Sequence, residues 1–452
     1  MTGNKRWLAL AVVLTAAFMD NVDATIVSVA LPRIQRELGA DATAAQWILA
    51  GYALTFALLL ITGGRLGDIA GRKRVFLAGV AGFTLASIVA GTAQTPGVLV
   101  AACLGQGAMA ALMVPQVMSV IVALFRPEER ALPFSLMGAV LSAGSVCGPL
   151  LGGLLTEYDL AGLSWRAVFL LNVPIGLATF AAAARFMPET RSAAPLRLDL
   201  AGVALAALAA LGIMYPLLQR AGYAWMVLGV VMAFAFAAQQ RRRGQGRALV
   251  PPELFGRRSF TMGVVVVLLV FSGVTSFFFV LSYHLQLDLG WSPLDIALVM
   301  LAWPAGITAT SHLALRRGVA WGRSLIGTGA AAMGVGMLLM LLFAQAQELT
   351  WAHVVAAELV MGLGMGMCVP VLTTVALGDV PADDAGAGAG VVNTGIQLGT
   401  ALGVAIVGGL YFTAGTAALW YNVAVFALAA LLSPLLSSAP RAAKAVESAA
   451  RP

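Results

Sequence analysis

Asp20 and Asp23 lie one helical turn apart within "FMDNVDATIVSVALP", residues 18–32, and no Lys, Arg or His occurs between residues 7 and 32. Residues three apart on a helix have Cβ atoms about 5–6 Å from each other. Two carboxylates so close, partly desolvated and without a cation, do not both ionise easily at neutral pH. The chemistry open to such a pair is reversible proton binding. Ionisable groups inside apolar spans are costly, and as a rule they face a cavity and serve a transport pathway.

The elements that must carry these acids follow from composition. The chain has 452 residues, of which 60% are hydrophobic and only 10% charged. An average soluble domain carries about 25% charged residues, so this is a membrane-class chain. Apolar runs of roughly 20 residues, the length that crosses a bilayer, are read at 7–31, 46–64, 75–94, 98–124, 132–156, 165–186, 199–218, 223–239, 260–284, 294–315, 324–344, 352–377, 391–412 and 416–437. In lipid such runs must be helical, because their backbone groups have no water to bond. With both ends on one side, all basic residues but Arg33, Arg36, Arg166 and Arg220 fall at the termini or in the loops on that side. By the positive-inside rule that side is the cytoplasm. The net charge of +7 is thereby read as a topology signal and not as a nucleic-acid surface. Cys103, Cys147 and Cys368 all fall inside runs, with no metal-ligand spacing and no obvious disulfide partner. The first run is read as an uncleaved span, since it is long for a signal peptide and holds two acids.

An internal echo runs through the chain at an offset of 255 residues. Gly107 and Pro115 match Gly362 and Pro370, Glu128-Glu129 match Asp383-Asp384, and Gly144 and Gly148 match Gly399 and Gly403. One offset joins two helices and the loop between them, which points to a duplication with parallel halves. The fold class expected is all-α integral membrane: two pseudo-symmetric six-helix bundles plus two inserted helices, fourteen in all. The corresponding boundaries are 1–190 for the first bundle, 191–258 for linkers with the inserted pair, 259–440 for the second bundle and 441–452 for a cytoplasmic tail.

Two motifs stand out from this background. "GGRLGDIAGRKR", residues 63–74, follows the second run; Gly64, Gly67 and Gly71 permit a tight turn, and Asp68 is placed to pair with Arg72 or to cap the next helix. "GSVCGPLLGG", residues 144–153, repeats Gly144, Gly148 and Gly152 every four residues, leaving a bare stripe for a neighbouring helix. Pro149 sits in that stripe beside Gly152 and Gly153 and weakens the helix there.

With "VDATIVSVALP", "SWRAVFLLNVPIG" (164–176) and "NTGIQLGTALG" (393–403), these motifs resemble the major facilitator superfamily, in particular its fourteen-span drug:proton antiporter branch. The likeness covers nearly the whole chain. It implies that Gly64, Asp68, Gly71 and Arg72 form a cytoplasmic gating loop, and that Gly144, Gly148, Pro149, Gly152 and Gly153 form the helix motif associated with exporters. It also implies that Asp23 is the family-matched member of the acidic pair. The family's fourth span usually reads R-x-x-Q-G, whereas this chain has "CLGQG", with Cys103 in place of the arginine thought to help couple proton movement.

The repeat carries Cys103 onto Glu358, so an acid occupies in the second half the position where the first half lacks its cation. The first, fourth, ninth and twelfth spans line the central cavity in this fold, by resemblance. Asp20, Asp23 and Glu358 are thus expected to share one water-accessible space as the proton-coupling residues. At 1.5 Å per residue they lie roughly 15, 10 and 9 Å below the outer surface. Asn21, Cys103, Gln106, Gln116, Asn393 and Gln397 are the candidates for a substrate cavity, although polar groups in such bundles more often bridge helices. His284, His312 and His353 stand at span ends and read as interfacial.

No cofactor and no metal is expected. The three lysines, Lys5, Lys73 and Lys444, do not follow glycines as a nucleotide-binding loop requires, so a proton gradient is the expected energy source. The functional expectation is export of amphipathic, cationic or neutral small molecules by proton antiport across the bacterial cytoplasmic membrane. The partners are then substrate, protons and the lipid bilayer, with the chain acting as a monomer and both termini cytoplasmic. An importer or gradient-independent facilitator on the same fold is the alternative. A membrane enzyme or lipid flippase is remote, because no nucleophile–base or metal-ligand cluster appears.

Overall fold

A computed structural model describes residues 3–159, 162–191, 198–243, 250–345, 349–381 and 384–436. The tail expected at 441–452, the linker residues 192–197 and 244–249, and Asp383 of the repeat lie outside these. Every long element is an α-helix: α1 (Gly3–Leu38), α2 (Ala42–Ala70), α3 (Arg72–Gly91), α4 (Pro96–Leu124), α5 (Ala131–Glu157), α6 (Arg166–Leu170), α7 (Asn172–Phe186), α8 (Leu200–Gln219), α9 (Ala224–Arg243), α10 (Arg258–Tyr283), α11 (Pro293–Val299), α12 (Ala302–Gln345), α13 (Trp351–Leu377), α14 (Ala385–Ala414) and α15 (Leu419–Leu432). Short polar residues start several of them. Asp41, Thr95 and Asp199 accept the amides of Ala44, Val98 and Gly202, and Thr350 with His353 closes a capping box on α13.

Among the described residues, thirteen stretches are long and apolar enough to cross a bilayer, against the fourteen expected. The difference lies at the end of the chain. The last stretch, Ala385–Leu435, is 51 residues long and contains the run expected at 391–412 and most of that at 416–437, joined through a single 3-10 turn at Gly415–Ala418. The break expected at 316–323 is present as a kink: helical backbone runs up to it, Gly322 departs from helical geometry, and the two sides are separate apolar stretches, Pro293–Ala314 and Trp321–Gln345. Apolar side chains on the outside suit a hydrocarbon surround; α9, for example, exposes Val227, Val231 and Phe234.

The chain forms two compact units, residues 1–236 with 285–297, and 237–284 with 298–452. In the first, the glycine stripe of α5 lies on α1. A Cβ on Gly144 would come 2.8 Å from Asn21, one on Gly148 would meet the Thr25 hydroxyl, and one on Gly152 would reach the Ile26 carbonyl at 2.8 Å. Gly153 turns instead toward Pro293 and Ala297, within the same unit. Gly107 of α4 likewise abuts the Tyr52 carbonyl of α2. Close backbone approach is what holds these pairs, since lipid supplies no hydrophobic drive between helices.

Both ends of α1 are also tied beside α5. At one end Arg6 pairs with Glu129 at 2.7 Å and lies over Phe125. At the other, Arg33 donates to Glu37 (2.7 Å) and to the Thr156 carbonyl (2.6 Å), while the Ser164 hydroxyl donates to Glu37.

In the second unit, Gly399 and Gly403 of α14 abut the backbone of Leu268 and Ser272 on α10, and Gly362 of α13 abuts the Trp303 carbonyl on α12.

Candidate functional site

The polar centre of the first unit is Asp23, 3% exposed. Asn172, the first residue of α7, donates its amide to Asp23 Oδ1. Gln106 of α4 donates to the same oxygen at 3.2 Å, and also to the Ser87 hydroxyl of α3 at 3.0 Å. One carboxyl group therefore links α1, α3, α4 and α7. Beside it is a cavity of about 30 Å³, lined by Asp23, Tyr52, Cys103 and Gln106 and closed by Ala24, Val27, Ile48 and Leu49. That is room for water and not for a drug-sized substrate.

Asp20 is partly buried and accepts a 2.6 Å hydrogen bond from the Tyr52 hydroxyl. Among the described residues no Lys or Arg forms an ion pair with either aspartate. The donors are neutral amides and a phenol, which can hold a carboxylate in place yet leave its charge uncompensated. Cys103, buried at the cavity wall, brings no positive charge either.

Glu358 lies in the second unit, on α13. It is fully buried, with no side-chain partner for its carboxylate among the described residues, and the Trp303 backbone lies beside it. An ionised Glu358 in this setting would bear the desolvation cost of a bare charge, several kcal/mol by a rough measure.

The remaining candidates sort by helix contact. Asn21 accepts from Ser145 on α5 at 3.1 Å, within the stripe interface. Gln116 donates to the Gly63 carbonyl at 2.9 Å, bridging α4 and α2. Asn393 is exposed and donates to Ala389 of its own helix, and Gln397 is partly buried on the same helix. The loop expected over 63–74 is helical except at Gly71: Gly64, Gly67 and Asp68 belong to α2, and Asp68 pairs with Arg72, the first residue of α3, at 2.8 Å, while α3 has no side-chain cap. Gly71 has φ +107°, a conformation that favours glycine, and the Arg72 amide next to it donates to the Thr190 carbonyl. Gly64 lies 3.6 Å from Pro115 by its would-be Cβ. The segment after α7 braces this loop: the Glu189 carboxylate accepts from the Lys73 amide and lies 3.6 Å from Arg74.

Tyr52, Ser87 and Asn172 are members of this network that the sequence reading did not single out. Each is a lone polar side chain in an apolar run, a weak signal that the partner across the bundle turns into a strong one.

An all-helical chain with so many apolar spans and a buried carboxyl network belongs among multi-pass membrane transporters. Residues 13–240 and 263–452 match the family described as Major Facilitator Superfamily, and the chain belongs to it. It is a transporter and not an enzyme. Its relatives include the "Probable actinorhodin transporter" of Streptomyces coelicolor, 39% identical over 90% of this chain and 73% of that protein. The "Puromycin resistance protein pur8" of Streptomyces alboniger is 37% identical over 89% of this chain and 81% of its own length. The "Multidrug efflux pump LfrA" of Mycolicibacterium smegmatis is 32% identical over 91% and 82%. Among solved structures, a POT family transporter in complex with 5-aminolevulinic acid aligns with TM-score 0.67 at 15% identity, covering 94% of both chains, a likeness of fold alone.

Proposed function

We propose that this chain exports amphipathic, cationic or neutral small molecules, antibiotics among them, in exchange for protons across the bacterial cytoplasmic membrane. Export is supported by relatives whose names describe antibiotic transport, resistance and efflux. Proton exchange is carried by one observation: Asp23 is buried, held by neutral donors and unpaired with any cation among the described residues, at the edge of a cavity with room for water. A carboxyl group so placed can take a proton from one side and release it to the other as the site changes access. Asp20 is its neighbour on the helix, and Glu358, in the other unit, is a second buried acid with no side-chain partner among the described residues. Proton and cationic substrate would compete for these uncompensated groups.

We infer two pseudo-symmetric six-helix bundles, with an inserted pair making fourteen spans and both termini cytoplasmic. Local packing supports the duplication. Gly399 and Gly403 meet Leu268 and Ser272, four residues apart, as Gly144 and Gly148 meet Asn21 and Thr25; Gly362 meets a carbonyl on α12 as Gly107 does on α2. Fourteen crossings are also supported by length: the last stretch, broken at Gly415, has 51 residues, about 75 Å as helix and more than twice the hydrocarbon thickness.

A gradient-independent facilitator is the second reading, favoured by the neutral Cys103 where an arginine is usual. Everted membrane vesicles separate the two. Antiport predicts that an imposed proton gradient drives accumulation of a cationic dye, that a protonophore abolishes it, and that an anionic dye is accumulated less. Accumulation indifferent to the protonophore would favour the facilitator, and preference for the anion would overturn the charge argument.

A further inference from the structure

Among the described residues Asn172 makes the longest-range hydrogen bond to the acid, 149 residues along the chain. It is 1% exposed, and its amide is aimed at the same oxygen that Gln106 meets from the opposite element. The helical ladder that presents it lacks one bond. Leu171, between α6 and α7, keeps helical angles and its amide donates to the Ala167 carbonyl, so Arg166–Phe186 is one span. Pro174 has no N–H to offer the carbonyl four residues back, and its ring crowds that carbonyl. The missing bond thus falls in the turn that carries the residue gripping the carboxyl group. α7 packs in turn on both α1 and α3.

We infer that Asn172 is the positioning residue for Asp23, orienting its carboxyl toward the cavity and passing its protonation state to α7. The amide donates to an oxygen that also accepts from Gln106, which leaves the other oxygen as the one that gains and loses the proton. A hydrogen bond to an ionised carboxylate is roughly twice as strong as one to a neutral group. Proton uptake therefore loosens the grip on α7 in the turn where Pro174 leaves that span one backbone bond short, and proton release restores it. This inference rests on the proton-binding reading of Asp23.

The test combines transport with a spectroscopic readout on the full chain in proteoliposomes. Infrared difference spectra between acidic and basic buffer report carboxyl C=O bands, and the Asp23 band is identified by its loss in Asp23→Asn. Asn172→Leu, and Asn172→Ala as the variant that only removes atoms, are expected to shift that band and to lower proton-driven dye accumulation about tenfold or more, the size of one charge-assisted hydrogen bond. In the Asp23→Asn background the same substitutions are expected to add no further loss in dye-for-dye exchange. Wild-type-like bands and accumulation in both variants would overturn the positioning role, as would an equal loss of exchange with and without Asp23. Proton-driven accumulation that survives Asp23→Asn would instead overturn the reading on which the inference rests.

Discussion

Asp20 and Asp23 occupy the same helix, yet their neighbours give them different tasks. Asp23 is gripped by two amides from α4 and α7, whereas Asp20 has a single phenol donor from α2. Asparagine at position 20 keeps an acceptor for the Tyr52 hydroxyl, so Asp20→Asn is expected to fold normally and to lower proton-driven transport less than Asp23→Asn. Tyr52→Phe leaves a carboxylate without its donor and is expected to reduce thermal stability by an amount on the order of 1–3 kcal/mol. Denaturation of the purified variants checks this; a Tyr52→Phe protein as stable as wild type would show that the bond carries no weight. The acids were legible in the sequence because ionisable groups in apolar runs stand out. Their donors were not, because Tyr52 and Asn172 gain meaning only from an inter-helix register that no local spacing encodes.

Among the elements, α1 and α5 behave as one body. Their shared face is the glycine stripe, and each end of α1 is tied beside an end of α5. Gly152→Ala would set a methyl group 2.8 Å from the Ile26 carbonyl, a backbone atom that cannot swing away, so the helices must part. Loss of folded protein or of transport is expected there, while Gly138→Ala on the same helix, with open space around it, is expected to be silent. Equal tolerance at both positions, scored by yield and transport, would remove the stripe's structural role. The Arg6–Glu129 tie is part-buried and carries a pH signature. The hydrogen bond from Arg6, with a further one from the Arg126 amide, holds the Glu129 carboxyl below its ordinary value of 4.5. A carboxyl group lowered on folding stabilises above its unfolded value and loses that contribution as the pH falls through the folded one. Glu129→Gln is therefore expected to unfold at a lower temperature than wild type at pH 7, with the gap closing below pH 4.5. A gap that persists in acid would point to packing and not to the ion pair. The stripe was readable from its four-residue period. The ties were not, since they join residues more than 120 positions apart.

For the whole molecule, hydropathy alone located nearly every membrane helix, because lipid leaves the backbone no alternative to helix. The late joints it expected also carry backbone breaks: Gly415 has φ +58° between α14 and α15, and Gly322 leaves helical geometry between the stretches Pro293–Ala314 and Trp321–Gln345, beside Arg316, Arg317 and Arg323. The proposed topology predicts that reporters fused after Thr92 are active only on the outer side, and that reporters fused after Glu189 or at the C-terminus are active only in the cytoplasm. Activity of the Glu189 and C-terminal fusions on opposite sides would refute the fourteen-span scheme. The scheme needs a moving acid at its centre, and proton flux measures that directly. In proteoliposomes without an imposed gradient, inward flow of a cationic substrate is expected to expel protons, seen with a pH-sensitive dye, and Asp23→Asn is expected to abolish the signal. Substrate-linked proton movement that persists in Asp23→Asn, or its absence from a wild-type protein that transports the substrate, would contradict the account.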